Sequence, residues 1–209
     1  ALDALKKTAE KGNLTFINTV RTWPELPEEM KQLPFSGFLC GCGTYLRQGD
    51  EILMHHTVSG KRCEKIPVIL KECNAGMVLE GTDNVYFTAE PSRFKDLEQT
   101  RAHFAAVGVG LAETAETKGI IYDKLCIVTD TQSDVERMYR EFEQEFDIMD
   151  RRGGFYELVP LGYSKGTAVE YVLKQYGLTK EDAYVFGDSS NDLAMFQCGA
   201  HTIALGKHD

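Results

Sequence analysis

The sequence predicts an α/β protein: a Rossmann-like, parallel-sheet core interrupted by an inserted α+β cap domain. Three observations carry this expectation. Strand-like and helix-like stretches alternate at both ends of the chain, the pattern of parallel strands joined by crossover helices. Between about residues 57 and 156 that rhythm breaks into helices and paired strands of a different spacing. Near the end, four residues suited to a buried strand run into Gly187-Asp188, and an amphipathic helix pattern comes next. The core is therefore assigned to 1–56 and 157–209 and the insert to 57–156.

Taken in order, 1–11 reads as a helix with Leu2, Leu5 and Ala9 on one side and Gly12 as its stop. Leu14 to Asn18 reads as a strand that delivers Thr19 and Arg21 to its tip. Trp23-Pro24 breaks the chain, and a short helix runs to about Leu33. Phe38 to Cys40 is a strand, and Thr44–Arg47 with Glu51–His56 forms a hairpin around Gln48-Gly49-Asp50. In the insert, Lys61–Cys73 is helical, with Cys63, Ile66, Ile69, Leu70 and Cys73 on one face. Met77–Glu80 and Val85–Thr88 are strands. Ser92 is expected to cap a helix to Phe104, and 105–122 fits either a loop or a short helix. Lys124–Thr129 is a strand. Ser133–Phe146 is an amphipathic helix with Val135, Met138, Tyr139, Phe142 and Phe146 inward. Phe146–Arg151 and Phe155–Val159 close the insert. The core then resumes with a helix over Ser164–Tyr176, inward at Ala168, Val169, Val172 and Leu173 and ended by Gly177. A strand at 183–187, a helix at 190–198 with Leu193, Ala194 and Phe196 on its apolar side, and a strand at His201–Leu205 complete it.

The 209 residues are enough for a sizeable core, with 43% apolar and 26% charged side chains. A formal net charge of −9 argues against nucleic acid or an anionic membrane as the main partner. No apolar run approaches the ~20 residues of a membrane span. Nothing near residue 1 resembles a signal peptide. The six cysteines form no Cys-x-x-Cys pair, and reduced thiols are expected. The expected setting is the cytoplasm, with a monomer favoured over an oligomer.

The stretch Gly187-Asp188-Ser189-Ser190-Asn191-Asp192 carries the chemistry. Asp188 sits at the strand tip, and Asn191 and Asp192 fall in the first turn of the next helix. The three side chains can share one volume, where a hard cation such as Mg²⁺ would relieve their repulsion. The N–H groups of the same turn favour an anion. The competing reading is a plain turn and a solvated helix start. Thr19 can hold a phosphate oxygen, or be a turn residue. Lys165, just inside a helix N-terminus, opposes the helix dipole. It therefore calls for a resident anion, unless it swings into water.

The order Thr19, Lys165, Gly187-Asp188-x-x-Asn191-Asp192, on a core split by an insert, resembles the haloacid dehalogenase (HAD) superfamily, and most of all its Cof-type phosphatases. The resemblance extends through Phe155–Pro160 and Gly162–Gly166. It implies a Mg²⁺-dependent phosphatase acting on a small phosphorylated metabolite, a sugar phosphate being the candidate, through an aspartyl-phosphate. It implies that Thr19 and Lys165 act in catalysis, and that Thr19, Arg21 and Lys165 bind substrate. Asp188, with Asn191 and Asp192, would hold the metal.

The sequence also departs from that family. The resemblance implies a first strand bearing an Asp-x-Asp nucleophile motif ahead of the 1–11 helix and a last helix after Leu205, and neither is in these residues. The expectation is a longer polypeptide, with residues 1–209 alone inactive. The alternatives are a non-catalytic phosphometabolite-binding or regulatory module, or a phosphomutase of the same fold. The family's Thr-Gly-Arg is Thr19-Val20-Arg21, which should restrict backbone approach at Val20. Its Asn-Gly is Cys42-Gly43.

Overall fold

The computed structural model describes residues 2–58, 60–111 and 113–206. They fall into two compact units. One comprises Ala1–Arg21, Gln32–His55 and Gly162–Asp209; the other comprises Thr22–Lys31 and His56–Leu161.

The first unit opens with helix α1 (Leu2–Glu10), which buries none of its side chains and stops before Gly12. Strand β1 (Phe16–Asn18) pairs in parallel with β2 (Gly37–Cys40). Antiparallel strands β3 (Tyr45–Gln48) and β4 (Glu51–His55) extend the sheet in the order β1-β2-β3-β4. Further along the chain, α6 (Lys165–Tyr176) lays Ala168 and Val172 against Leu39 and Leu46. Ser164 caps its N-terminus, its Oγ accepting from Thr167 N at 3.1 Å, and Gly177 ends it in the left-handed conformation. β10 (Tyr184–Gly187) pairs in parallel with β11 (His201–Ala204) as a separate two-stranded sheet. The helix expected over 190–198 is shorter. A 3-10 turn at Ser190–Asp192 leads into α7 (Leu193–Phe196), which buries Met195 and leaves Leu193 exposed.

In the second unit, Thr22–Lys31 holds a 3-10 turn and the short helix α2 (Glu28–Lys31). The unit is built on a five-stranded sheet of order β6-β5-β7-β9-β8. Its strands are β5 (Gly76–Glu80), β6 (Val85–Tyr86), β7 (Lys124–Val128), β8 (Phe146–Asp150) and β9 (Phe155–Pro160). On one face, Met77, Leu79, Leu125, Ile127 and Leu158 pack with Cys63, Ile66 and Leu70 of α3 (Lys61–Glu72) and Met138 and Phe142 of α5 (Val135–Phe142). Phe146 also joins this core, but as the first residue of β8, because α5 ends at Phe142. Asp134 caps α5; its Oδ1 accepts from Arg137 N at 3.0 Å.

The other face carries Val78, Cys126 and Leu97 of α4 (Lys95–Ala106). The cap expected at Ser92 is displaced: α4 starts at Lys95, and Ser92 Oγ accepts from Phe94 N, ahead of the helix. Beyond α4 the chain is turn-rich and rejoins the unit through a bridge from Tyr122 to Val58. Lys124 is buried between Glu80, its direct neighbour across the strands, and Glu157, at 3.0 Å. Burial disfavours its charge, but Cys126, Glu80 and Glu157 outweigh that and hold the ammonium well above its ordinary pKa.

Candidate active site

The site is built in the first unit, at the tip of β10. A Cβ at Gly187 would lie 2.6 Å from Asp192 Cβ and Oδ2. The strand exit therefore needs glycine for close packing. That packing lets Asp192 fold back under its own loop, where Oδ2 accepts the N–H groups of Asp188 at 3.0 Å and Ser189 at 3.3 Å. Its other oxygen, Oδ1, accepts the Lys165 ammonium at 2.6 Å. Lys165 also donates to Asn191 Oδ1 at 3.1 Å, and that oxygen receives Ser189 Oγ as well, at 2.8 Å.

Lys165 is 9% exposed and Asp192 3%. The anion that the helix-start lysine calls for is thus met within the chain by Asp192, and the alternative of a lysine swinging into water does not occur. Burial pushes the Asp192 carboxyl up. The Lys165 ammonium and the two backbone N–H groups outweigh that and hold it below the ordinary carboxylate range.

The Thr19 loop joins the same unit. Thr19 N donates to Leu39 O at 2.8 Å, and Arg21 N donates to Thr19 Oγ1 at 3.2 Å. The Gly41-Cys42-Gly43 turn braces it from the end of β2: Gly41 N donates to Arg21 O and Cys42 N to Thr19 O. A Cβ on Gly43 would stand 2.3 Å from Ser164 O, so this turn lies directly against the start of α6. Val20 does not have a positive φ, so the missing glycine of the Thr-Gly-Arg pattern imposes no strain there. Cys42, where the family pattern has Asn, does, at φ +57.

Asn18 was not singled out from the sequence. Its Nδ2 donates to Lys165 O at 2.9 Å and ties β1 to α6, while its Oδ1 is buried without a hydrogen bond. The available signal was a lone amide inside the strand that ends just before Thr19.

The three oxygen-bearing residues expected around a cation are thus not equivalent. Asp192 has both oxygens engaged and Asn191 Oδ1 takes two donors. The exposed Asp188 carboxylate has no side-chain partner among the described residues. No group of three or more His, Cys, Asp or Glu able to hold a metal occurs among them either. One carboxylate completed by water and phosphate oxygens is still a donor set that suits Mg²⁺, which commonly binds through one or two carboxylates. Asp188 fits that requirement, with Asn191 beside it.

Lys165, Asn191 and Asp192 are thus joined at the tip of β10, and the Thr19 loop is braced by a turn that lies against the start of α6. The chain belongs to the haloacid dehalogenase-like hydrolases, whose family model matches residues 1–209. It is 31% identical over 87 residues to the 5-amino-6-(5-phospho-D-ribitylamino)uracil phosphatase YwtE of Bacillus subtilis, over 41% of this chain and 30% of that protein. It is 22% identical over 143 residues to a phosphoglycolate phosphatase of Methanothermobacter thermautotrophicus, over 68% of this chain and 63% of that protein. These matches span less than two thirds of the curated relatives' own length. Among solved structures, a phosphatase of the haloalkanoate superfamily from Bacteroides thetaiotaomicron superposes with a TM-score of 0.79 at 19% identity, covering 100% of this chain and 76% of that one. A HAD subclass IIB sugar phosphatase superposes with a TM-score of 0.74 at 17% identity, covering 100% and 80%. At that identity they establish the shared fold: an α/β core with a cap domain.

Proposed function

We propose that this chain forms most of a Mg²⁺-dependent phosphatase that hydrolyses a small phosphorylated metabolite through an aspartyl-phosphate. The observation that carries the reading is the Lys165–Asp192 pair at 2.6 Å beside the uncommitted Asp188. Asp192 fixes the ammonium in place, and the ammonium with the Thr19 hydroxyl holds the phosphoryl oxygens. Asp188, with help from Asn191, holds the metal, which when bound neutralises charge on the phosphoryl group. Such transfer depends on positioning and charge neutralisation, and these residue types supply both.

The nucleophile is an aspartate on a strand outside residues 1–209. Two features favour such a strand. β1 is hydrogen-bonded along one edge, to β2, and β10 along one edge, to β11. The buried Asn18 Oδ1 lacks a hydrogen bond, as an acceptor awaiting a backbone N–H would. The attacking carboxylate forms the new P–O bond as the ester oxygen leaves with a proton from a second aspartate, and water then cleaves the acyl-phosphate. YwtE and the phosphoglycolate phosphatase, both named as phosphatases, fit the same class of substrate.

The test is turnover of p-nitrophenyl phosphate by residues 1–209 and by a longer polypeptide that carries Asp-x-Asp ahead of α1. The expected outcome is turnover by the longer form alone. Turnover by the 209 residues themselves, or by neither form, contradicts the proposal.

A further inference from the structure

Asn18 is the last residue of β1, directly before Thr19, and its side chain reaches two other pieces of the site at once. Its Nδ2 donates to Lys165 O at 2.9 Å, in the first turn of α6, and to Met195 Sδ at 3.4 Å, in α7. Both partners accept and neither can donate, so they fix which way the amide faces. Lys165 carries the ammonium of the site. Met195 lies three residues beyond Asp192, whose Oδ1 accepts that ammonium at 2.6 Å.

The two helices form one block. A Cβ on Gly166 would stand 2.6 Å from Ala194 O, so α6 and α7 meet backbone to backbone, one residue from Lys165 and two from Asp192. The Lys165–Asp192 pair joins the same two segments through their side chains. What remains to be set is where the block stands against β1, and the Asn18 amide bonds to both of its helices. Hydrogen bonds fix a distance and an angle, whereas apolar contact is non-directional. Building on the phosphatase reading, we infer that Asn18 is a positioning residue: it fixes the block that carries the Lys165 ammonium against the strand that delivers Thr19. Phosphoryl transfer depends on such placement, and a displacement of about 1 Å costs on the order of a hundredfold in rate.

The test compares Asn18→Leu and Asn18→Ala with the wild type in the longer polypeptide that carries Asp-x-Asp. Leucine keeps the size of the side chain and removes both donated hydrogens, while alanine removes the amide altogether. kcat and KM for p-nitrophenyl phosphate are measured in saturating Mg²⁺, and urea titrations of the same preparations give the folded fraction. The expected result is a fall in kcat per folded molecule of at least about tenfold, larger than any change in KM, because placement matters most in the transition state. A merely structural residue would shift the urea midpoint and leave kcat per folded molecule as it was. That result overturns the inference, as does a smaller fall in kcat or a change in KM of equal or greater size. If one variant does not fold, the other decides; if neither folds, Asn18 is structural and the inference is overturned. In all these cases the wild type turns over and the phosphatase reading stands. A wild type without turnover overturns both.

Discussion

Asp192 and Asp188 are two acidic residues of one short loop with opposite employment. Asp192 is spent on structure: it pairs with Lys165 and gathers the loop's N–H groups. Its carboxyl is depressed in the folded protein, so its stabilising contribution is complete above the ordinary carboxylate range and is lost as pH falls through the folded value. Asp192→Asn should therefore lower stability at pH 7 by about 1–3 kcal/mol, the cost of leaving buried partners unsatisfied. The penalty should vanish at pH low enough to protonate the wild-type carboxyl. Urea titrations at neutral and acidic pH check this, and a penalty of equal size at both would contradict it. This division of labour was not legible in the sequence. It depends on a lysine 27 positions away, while the motif alone makes Asp188, Asn191 and Asp192 look alike.

At the scale of elements, what the sequence made legible was local turn chemistry. The hairpin around Gln48–Asp50 and helix α6, with its Ser164 cap and Gly177 stop, are encoded within a few residues of where they act. What it concealed was set by distant partners. Phe146 fits the apolar stripe of α5 and yet starts β8, because its burial comes from the sheet's own core. Alternation along β5, β7 and β9 likewise hides the buried cluster of Glu80, Lys124 and Glu157, which exists only once the strands pair. Removing Lys124 leaves Glu80 buried without its counter-charge and Glu157 with Arg151 alone. Lys124→Met should cost about 3–5 kcal/mol in chemical denaturation. A loss below about 1 kcal/mol would mean the cluster behaves as a solvated surface pair.

At the scale of the whole molecule, the α/β core and the α+β insert were legible because their strand–helix rhythms differ along the chain. The placement of Thr22–Lys31 with the second unit was not, since those residues come directly after the Thr19 loop and nothing local marks the change. Tyr184 and Phe186 of β10 are 64% and 56% exposed, Tyr184 stacked on His201 with ring centroids 4.1 Å apart. Strands of a parallel sheet are normally covered on both faces. This bare face, together with the open edges of β1 and β10, is what a core completed by further polypeptide would leave.

The most direct test is the Mg²⁺ dependence of p-nitrophenyl phosphate turnover by the longer polypeptide, in the wild type and in Asp188→Ala. Turnover that saturates with Mg²⁺, stops with a chelator and falls at least about a hundredfold in Asp188→Ala is the expected result. Turnover indifferent to the chelator, or undiminished in Asp188→Ala, would contradict it.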